Sequence, residues 1–532
     1  MAVRLIVISA IILACILFNK VSSKLGIPAL LAFLVLGMFF GSDGIIKIQF
    51  DNYLFTEQIS TVALIFIMFY GGFGTNFNQA RPVMTKSILL SSFGTIFTAL
   101  SVGVFCHYVL KIAFAESLLI GSVISSTDAA SVFSILRSKR LNLRYNTASL
   151  LEVESGSNDP FSYMLTSLCL TFMNSSVSAG SVVWMLMLQI VLGVGFGFVL
   201  AHFAFVFMKK YEFCHAGLDT IFMVAVAIAS YAVPVAMGGN GYLSAYICGI
   251  ILGNRKIENK RALVNFFDGV TVLMQMLLFF LLGLLSTPSK LPQIAPIAIA
   301  VALFLTFVAR PIIVFTVLLP FKSKLGQCAV VSWAGLRGAA SIVFAIMTVI
   351  SPAHVDNDIF HIVMFIVLFS ILIQGSLIPF VSKKLRMTDD SQDVMKTFND
   401  YLDEVPVQFM RFTIPEHHPW TGMAIKSIVF PPESLLVLII RGDKKIVPTG
   451  NTILHYGDEL VLSGHASDHI DGVNLYEKIV EGSDEINGMR IADLPSTEKL
   501  IIMIRRGESI IIPRGNTRLK ENDVLVINEP DN

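Results

Sequence analysis

One apolar stretch carries more acid than a lipid-facing helix tolerates: Glu152, Glu154 and Asp159 fall within the eight residues Glu152-Val153-Glu154-Ser155-Gly156-Ser157-Asn158-Asp159. Ionised side chains inside hydrocarbon are costly, and where they occur they mark sites that bind or move charge. At helical spacing Ser155 and Asp159 share one face, and Glu154 and Asn158 share the next. Glu154 and Asp159 must therefore point inward, one toward a cation or proton and the other toward a positive partner. Glu152 lies nearer the end of the stretch, where water reaches it.

Two further interruptions of apolar sequence belong with this one. Ser125-Ser126-Thr127-Asp128 places three hydroxyls and an acid in a hydrophobic run. Hydroxyls that bond the backbone suit a helix that unwinds in the membrane and exposes its carbonyls. Two readings of Asp128 stay open: an acid that faces an ion, or the N-cap of a helix beginning beside it. Gly335-Leu336-Arg337-Gly338-Ala339-Ala340-Ser341 sets an arginine among small residues that admit close backbone approach. Arg337 needs a carboxylate or several carbonyls around it, unless it snorkels to the interface. Arg310, ahead of Pro311, is a weaker case of the same kind, and Gly193-x3-Gly197 reads as helix packing.

The elements that position these residues are membrane spans. The chain has 532 residues, of which 54% are hydrophobic and only 14% charged, with a mean hydropathy of +0.72. A soluble core cannot enclose that much apolar surface, whereas a bilayer can. Residues 1–385 form successive apolar segments of the roughly 20 residues a span requires, and centres near 10, 33, 66, 97, 124, 160, 193, 226, 246, 275, 307, 338 and 370 predict thirteen. Basic residues alternate accordingly: Lys47, Lys111 and Lys290 occupy the even loops, whereas the odd loops carry clusters such as Arg137, Lys139, Arg140 and Arg144. By the positive-inside rule the N-terminus is outside and the tail cytoplasmic. The start, 1–17, is read as the first span and not a leader, because no small-residue cleavage site follows it. The expected location is the inner (cell) membrane.

Taken in order, Gly26-Ile27-Pro28, Gly37, Gly41, Thr127-Asp128, Glu154-Ser155-x2-Asn158-Asp159, Gly241-Tyr242-Leu243, Gly249, Gly253-Asn254, Gly335-Leu336-Arg337-Gly338 and Gln374-Gly375 resemble the monovalent cation/proton antiporter superfamily, specifically its NhaP-type sodium-or-potassium/proton exchangers. The resemblance covers residues 1–385. It implies an all-α polytopic domain with spans one to six mirrored by eight to thirteen, broken and crossing fifth and twelfth spans, alternating access, and a homodimer. It implies that Asp159 is the shared cation/proton carboxylate, with Ser155, the Thr127 carbonyl and Asp128 as neighbours, and that Glu154 pairs with Arg337. Asn158 stands where electrogenic relatives have a second aspartate, which implies electroneutral exchange. Many relatives carry an acid where this chain has Tyr70, which leaves potassium against sodium open.

The remaining residues are of ordinary soluble composition and repeat internally. Leu435 to Leu462 matches Leu500 to Ile527, aligning Arg441 with Arg506, Pro448 with Pro513, Asn451 with Asn516 and Asp458 with Asp523. β-rich runs alternate with Gly, Pro and Asn turns, so the units, 405–472 and 473–532 beyond a linker at 386–404, are read as small α+β domains. They resemble the C-terminal subdomain of potassium-conductance-regulating (RCK, or TrkA-C) modules. That resemblance implies binding of a small cytosolic ligand such as the nucleotide cyclic di-AMP; holding a dimer together is the other reading. No Gly-rich dinucleotide fingerprint precedes them.

Other classes fit poorly. The net charge of +1 gives no footprint for nucleic acid. No hydrolase, metalloprotease or phosphate-loop motif is present, and the six cysteines show no metal or pairing pattern, so neither enzyme nor cofactor is expected. A ligand-gated cation channel or uptake protein with the same tail is the alternative, but the chain contains no carbonyl selectivity filter of the Thr-Val-Gly-Tyr-Gly kind. Cation-driven proton flux distinguishes exchange from conduction.

Overall fold

The structure is a computed structural model. It describes the chain apart from residues 1, 26–27, 140, 175–178, 212–216, 258, 389–406, 432–433, 443, 466–474, 481, 483, 485, 495–499, 507–508, 512 and 529–532. Most of the expected linker, Gly26, Arg140 and Cys214 therefore lie outside the described residues.

Among the described residues up to 384, thirteen helical segments lie on the expected centres, with one short extra helix at Phe77–Ala80. Seven are long and apolar enough to cross a membrane by length and composition alone, among them Tyr53–Gly74, Ala262–Leu285 and Ile359–Lys384. The second (Ala29–Phe40) and ninth (Gly241–Gly253) are short. The sixth (Thr147–Asn174) is long but polar, because it carries the acids. The fifth is two half-helices, Phe114–Val123 and Ala129–Ser138, and so is the twelfth, Leu325–Trp333 and Ala339–Ile350.

The segments form an inverted repeat. The short second span packs on the tenth, and the short ninth packs on the third, so each half lends one helix to the other. Both crossings use glycines. A Cβ on Gly37 would collide with the Phe280 carbonyl, and one on Gly249 with the Phe69 carbonyl. Gly283 and Gly72 answer from the opposite helices in the same way. The fourth and eleventh spans match too, each interrupted by a π-helical turn, at Leu90–Gly94 and Leu305–Ala309; such turns insert a residue and commonly lie at functional positions.

Packing sorts the spans into two bundles. The first three and the seventh to tenth form one, with a core around Phe69, Phe73 and Phe267. The fourth to sixth and eleventh to thirteenth form the other, with a core around Leu136, Leu150 and Val331. The broken helices lie in the second bundle.

The tail, 405–532, is a separate unit. It contains two four-stranded antiparallel sheets. Strands β1 (Val407–Thr413), β2 (Leu435–Arg441), β3 (Lys444–Ile446) and β4 (Glu459–His465) run in the order β1-β4-β2-β3. Strands β5 (Leu475–Ile479), β6 (Leu500–Arg506), β7 (Ser509–Ile511) and β8 (Val524–Asn528) run β5-β8-β6-β7. The repeat extends to a bulge at Leu436/Leu438 and its counterpart at Ile501/Met503. Asp458 is fully buried and takes Arg441 Nε at 2.7 Å on Oδ1 and Nη2 at 2.7 Å on Oδ2. Asp523, equally buried, takes Arg506 in the same two bonds.

Candidate ion-binding site

Each broken helix leaves its free ends at the crossing, and the polar residues there answer those ends. Unwinding releases carbonyls from the half-helix before the break and N–H groups from the half-helix after it. Asp128 sits at the start of the second half of the fifth span. Its Oδ1 accepts from the N–H groups of Ala130 (2.9 Å) and Ser131 (3.3 Å), and its Oδ2 from the Ser131 hydroxyl (2.5 Å). This is the capping alternative left open by the sequence. The Asp128 N–H also donates to the Leu336 carbonyl at 2.8 Å, which ties the two breaks together. Gly338 makes that crossing possible, since a Cβ there would lie 2.5 Å from the Asp128 Cβ.

Arg337, 1% exposed, meets the opposite end. Its Nη1 donates to the carbonyls of Ser125 (2.8 Å) and Ser126 (2.5 Å), so a guanidinium faces the negative end of the first half-helix. The break that holds Arg337 is itself fixed by Gln374, whose Nε2 donates to the Trp333 carbonyl at 2.5 Å, and by Ser370, which accepts the Arg337 N–H at 3.2 Å.

The sixth span packs against this crossing. Ser155 Oγ donates to the Thr127 carbonyl at 2.8 Å and accepts from the Ala129 N–H at 3.0 Å. Asn158 Nδ2 donates to Thr127 Oγ1 at 2.6 Å, and Ser126 Oγ donates to Asp159 Oδ1. Asp159, Thr127, Ser155 and Asp128 all line one cavity of about 660 Å³. The structure thus gathers the four expected ion-site residues.

The expected Glu154–Arg337 pair is corrected. Glu154, 1% exposed, contacts Arg310 instead, with Oε1 2.5 Å from Nη2. The eleventh span presents Arg310 to the Glu154 face, while Arg337 is committed to backbone carbonyls. Arg310 was the weaker arginine by context, but its buried place in an apolar span was the legible signal. Sequence reasoning also missed Asp268, on the tenth span (Lys260–Leu285), which lines the cavity and accepts from the Tyr70 hydroxyl at 3.2 Å. Its signal was an acid in the apolar run after Phe267.

The cavity lies between the two bundles. Tyr70, Tyr246 and Asp268 line it from one side, and Asp128, Glu152 and Asp159 from the other. Residues such as Ser134, Glu152 and Gly71 carry it toward the helix ends that join the basic odd loops. Beyond Asp159 in the other direction, aromatic rings close the seam. Tyr163 and Phe344 of one bundle meet Tyr242 of the other, at centroid distances of 4.9 Å for Tyr163–Tyr242 and 6.3 Å for Tyr242–Phe344. Among the described residues no cluster of three potential metal ligands occurs, and Cys15, Cys106, Cys169, Cys248 and Cys328 are free thiols.

An inverted repeat whose broken helices cross beside a carboxylate-lined cavity defines a secondary transporter fold. The chain belongs to the sodium/hydrogen exchanger family, whose transmembrane region matches residues 7–384. The TrkA-C domain matches twice, at 409–471 and 476–528. The chain is 31% identical over 476 residues to a protein named K(+)/H(+) antiporter NhaP2 from Shewanella sp. (strain ANA-3), covering 88% of this chain and 82% of the relative. It is 30% identical over 467 residues to the K(+)/H(+) antiporter NhaP of Alkalimonas amylolytica, with 86% and 80% covered. The Na(+)/H(+) antiporter NhaH of Halobacillus aidingensis is 26% identical over 326 residues, with 58% of this chain and 77% of the relative covered. The fold superposes on the sodium proton antiporter MjNhaP1 from Methanocaldococcus jannaschii with a TM-score of 0.63 at 22% identity, covering 72% of this chain and 99% of that one.

Proposed function

We propose that this chain exchanges one monovalent cation for one proton by alternating access at Asp159, with potassium preferred over sodium. The observation that carries this reading is a carboxylate at the helix crossing that caps neither half-helix, in a cavity that runs to one side and is closed by aromatic rings on the other. A proton or a partly dehydrated cation can neutralise Asp159, and either can occupy it only when the other has left. Ser126, Ser155 and the Thr127 carbonyl supply oxygen around it. Asn158 is neutral and Asp128 is engaged as a helix cap, so one charge balances at a time and exchange is electroneutral. Potassium is supported by the names of the relatives that match across the membrane region and the tail.

The chain works as a homodimer in the inner membrane, with its N-terminus outside and its tail in the cytoplasm. The tail binds a cytosolic nucleotide such as cyclic di-AMP and biases the transport cycle through whichever arrangement it binds better.

Reconstituted full-length protein should show potassium-driven proton flux that needs the opposing gradient. Asp159→Asn should remove that flux while the protein remains monodisperse. Undiminished flux in Asp159→Asn would remove Asp159 from its role, and flux without counter-gradient would favour a channel. For the tail, cyclic di-AMP should give a calorimetric binding isotherm with residues 405–532, and truncation after Arg386 should alter the pH profile of exchange. Neither effect would leave the tail a dimerisation element.

A further inference from the structure

The cavity has a second polar wall that the exchange reading leaves unused. Asp268 projects from the tenth span, opposite the helix crossing, and its Oδ1 takes the Tyr70 hydroxyl. One turn on, Thr271 also lines the cavity. The residue is 8% exposed, and its hydroxyl is buried without a hydrogen-bond partner among the described residues. A buried hydroxyl without a partner is uncommon and calls for an occupant. Gln275 follows at the next turn and faces the same space. At i, i+3 and i+7, Asp268, Thr271 and Gln275 form one polar stripe in the otherwise apolar stretch 266–285.

The chemistry of that stripe is specific in sign. It offers a carboxylate, a hydroxyl and an amide oxygen, all of which coordinate a monovalent cation after loss of part of its water. The Tyr70 hydroxyl donates to one carboxylate oxygen, which orients the group and leaves the second oxygen available. The cavity lining contains Asp128, Glu152, Asp159 and Asp268 and no lysine or arginine among the described residues. Such a cleft concentrates cations and repels anions.

We propose that Asp268 and Thr271, oriented by Tyr70, form a second cation-holding station that receives the potassium or sodium ion before Asp159 takes it. This rests on the exchange reading above. The station sets apparent cation affinity and selectivity, whereas Asp159 sets whether exchange occurs. Because Asp268 belongs to one bundle and Asp159 to the other, an ion passes from station to site across the boundary that alternating access must move.

The test uses full-length protein in proteoliposomes, with proton flux measured against potassium and sodium over a concentration series. Removing one charge at contact distance in a water-filled cleft should raise half-saturation for potassium about fivefold in Asp268→Asn. The maximal rate should change less than about twofold. Asp268→Glu should restore most of the affinity. Thr271→Val should shift half-saturation in the same direction by a smaller factor, and it carries the test if Asp268→Asn fails to fold. Unchanged half-saturation in both variants, or a lost maximal rate at unchanged half-saturation, would overturn the station. Failure of the wild-type protein to exchange either ion would overturn the antiport reading first, which separates the two.

Discussion

The molecule contains two duplications that treat their charges in opposite ways. The tail repeats its chemistry with its fold: Arg441–Asp458 and Arg506–Asp523 hold the same bonds at the same strand positions. The membrane domain repeats its backbone but not its chemistry. Both halves break a helix at the crossing, yet the first half places Asp128 there and the second places Arg337. The acid serves the positive end of one half-helix, and the base serves the negative end of another. A tail unit completes its own core, so copies can stay alike. A crossing that joins the two halves needs complementary ends, so the copies differ.

The largest effect should come from breaking the complementarity at Glu154. Removing one member of a buried ion pair typically costs about 3–5 kcal/mol. Arg310→Ala should therefore destabilise the protein by that amount in a thermal melt in detergent. Arg337→Ala, which strands two carbonyls and no carboxylate, should cost about 2–3 kcal/mol. In a double-mutant cycle Glu154→Gln should couple more strongly to Arg310→Ala than to Arg337→Ala. Stronger coupling to Arg337 would reinstate the pairing expected from sequence.

A smaller effect should follow from widening the crossing. Gly338→Ala forces a methyl against the Asp128 side chain and should cost about 1–3 kcal/mol. Gly195, in the seventh span (Ala179–Lys210), has open space where a Cβ would stand, so Gly195→Ala should be neutral or gain a few tenths. Equal melts for the two variants would show that the two breaks do not depend on close contact.

The smallest effect belongs to the tail, and it should be the same in both copies. Burial raises the Asp458 pKa, but the bonds from Arg441 and the His455 N–H outweigh it and hold the carboxyl below its ordinary value. For Asp523 the Arg506 bond is the main cause of the same lowering. A depressed folded value makes the pair stabilising above the unfolded pKa of about 3.9, and that stability fades as pH falls through the folded value. Residues 405–532 should therefore keep a constant melting point from neutral pH down to about 5 and lose stability below about 4. Asp458→Asn and Asp523→Asn should each flatten that loss and cost about 1–2 kcal/mol at neutral pH. Unequal costs would mean that the two copies have diverged.

Much of this is legible in the sequence, because apolar length and basic alternation are global signals. Thirteen segments, the break in the fifth span and the 65-residue tail repeat follow from runs of residues that no tertiary contact can disguise, whereas the break in the twelfth span is implied by the family resemblance. Asp159, Thr127 and Ser155 stand out because an acid and hydroxyls in an apolar run are costly unless they meet an ion or one another. Partner choice is not legible. Glu154 lies on a helix face whose neighbour is set by packing of the eleventh span, 156 positions away in the chain. Asp268 escapes notice because it stands two turns from a helix start, where an acid is ordinarily hydrated, and only the cavity shows what it faces.

The glycine crossings bear on how the cycle can move. Where Gly37 meets Gly283 and Gly72 meets Gly249, backbone touches backbone with no side chain between. Such a joint behaves as a weld: a sliding helix would drive carbonyl into carbonyl within a fraction of an ångström. The second, third, ninth and tenth spans are thereby fixed into a stator. The opposite boundary, where Tyr163 and Phe344 rest on Tyr242, is built of flat rings that can shear past one another. Alternating access as proposed above then requires the bundle that carries Asp159 to move against that stator, along an aromatic boundary.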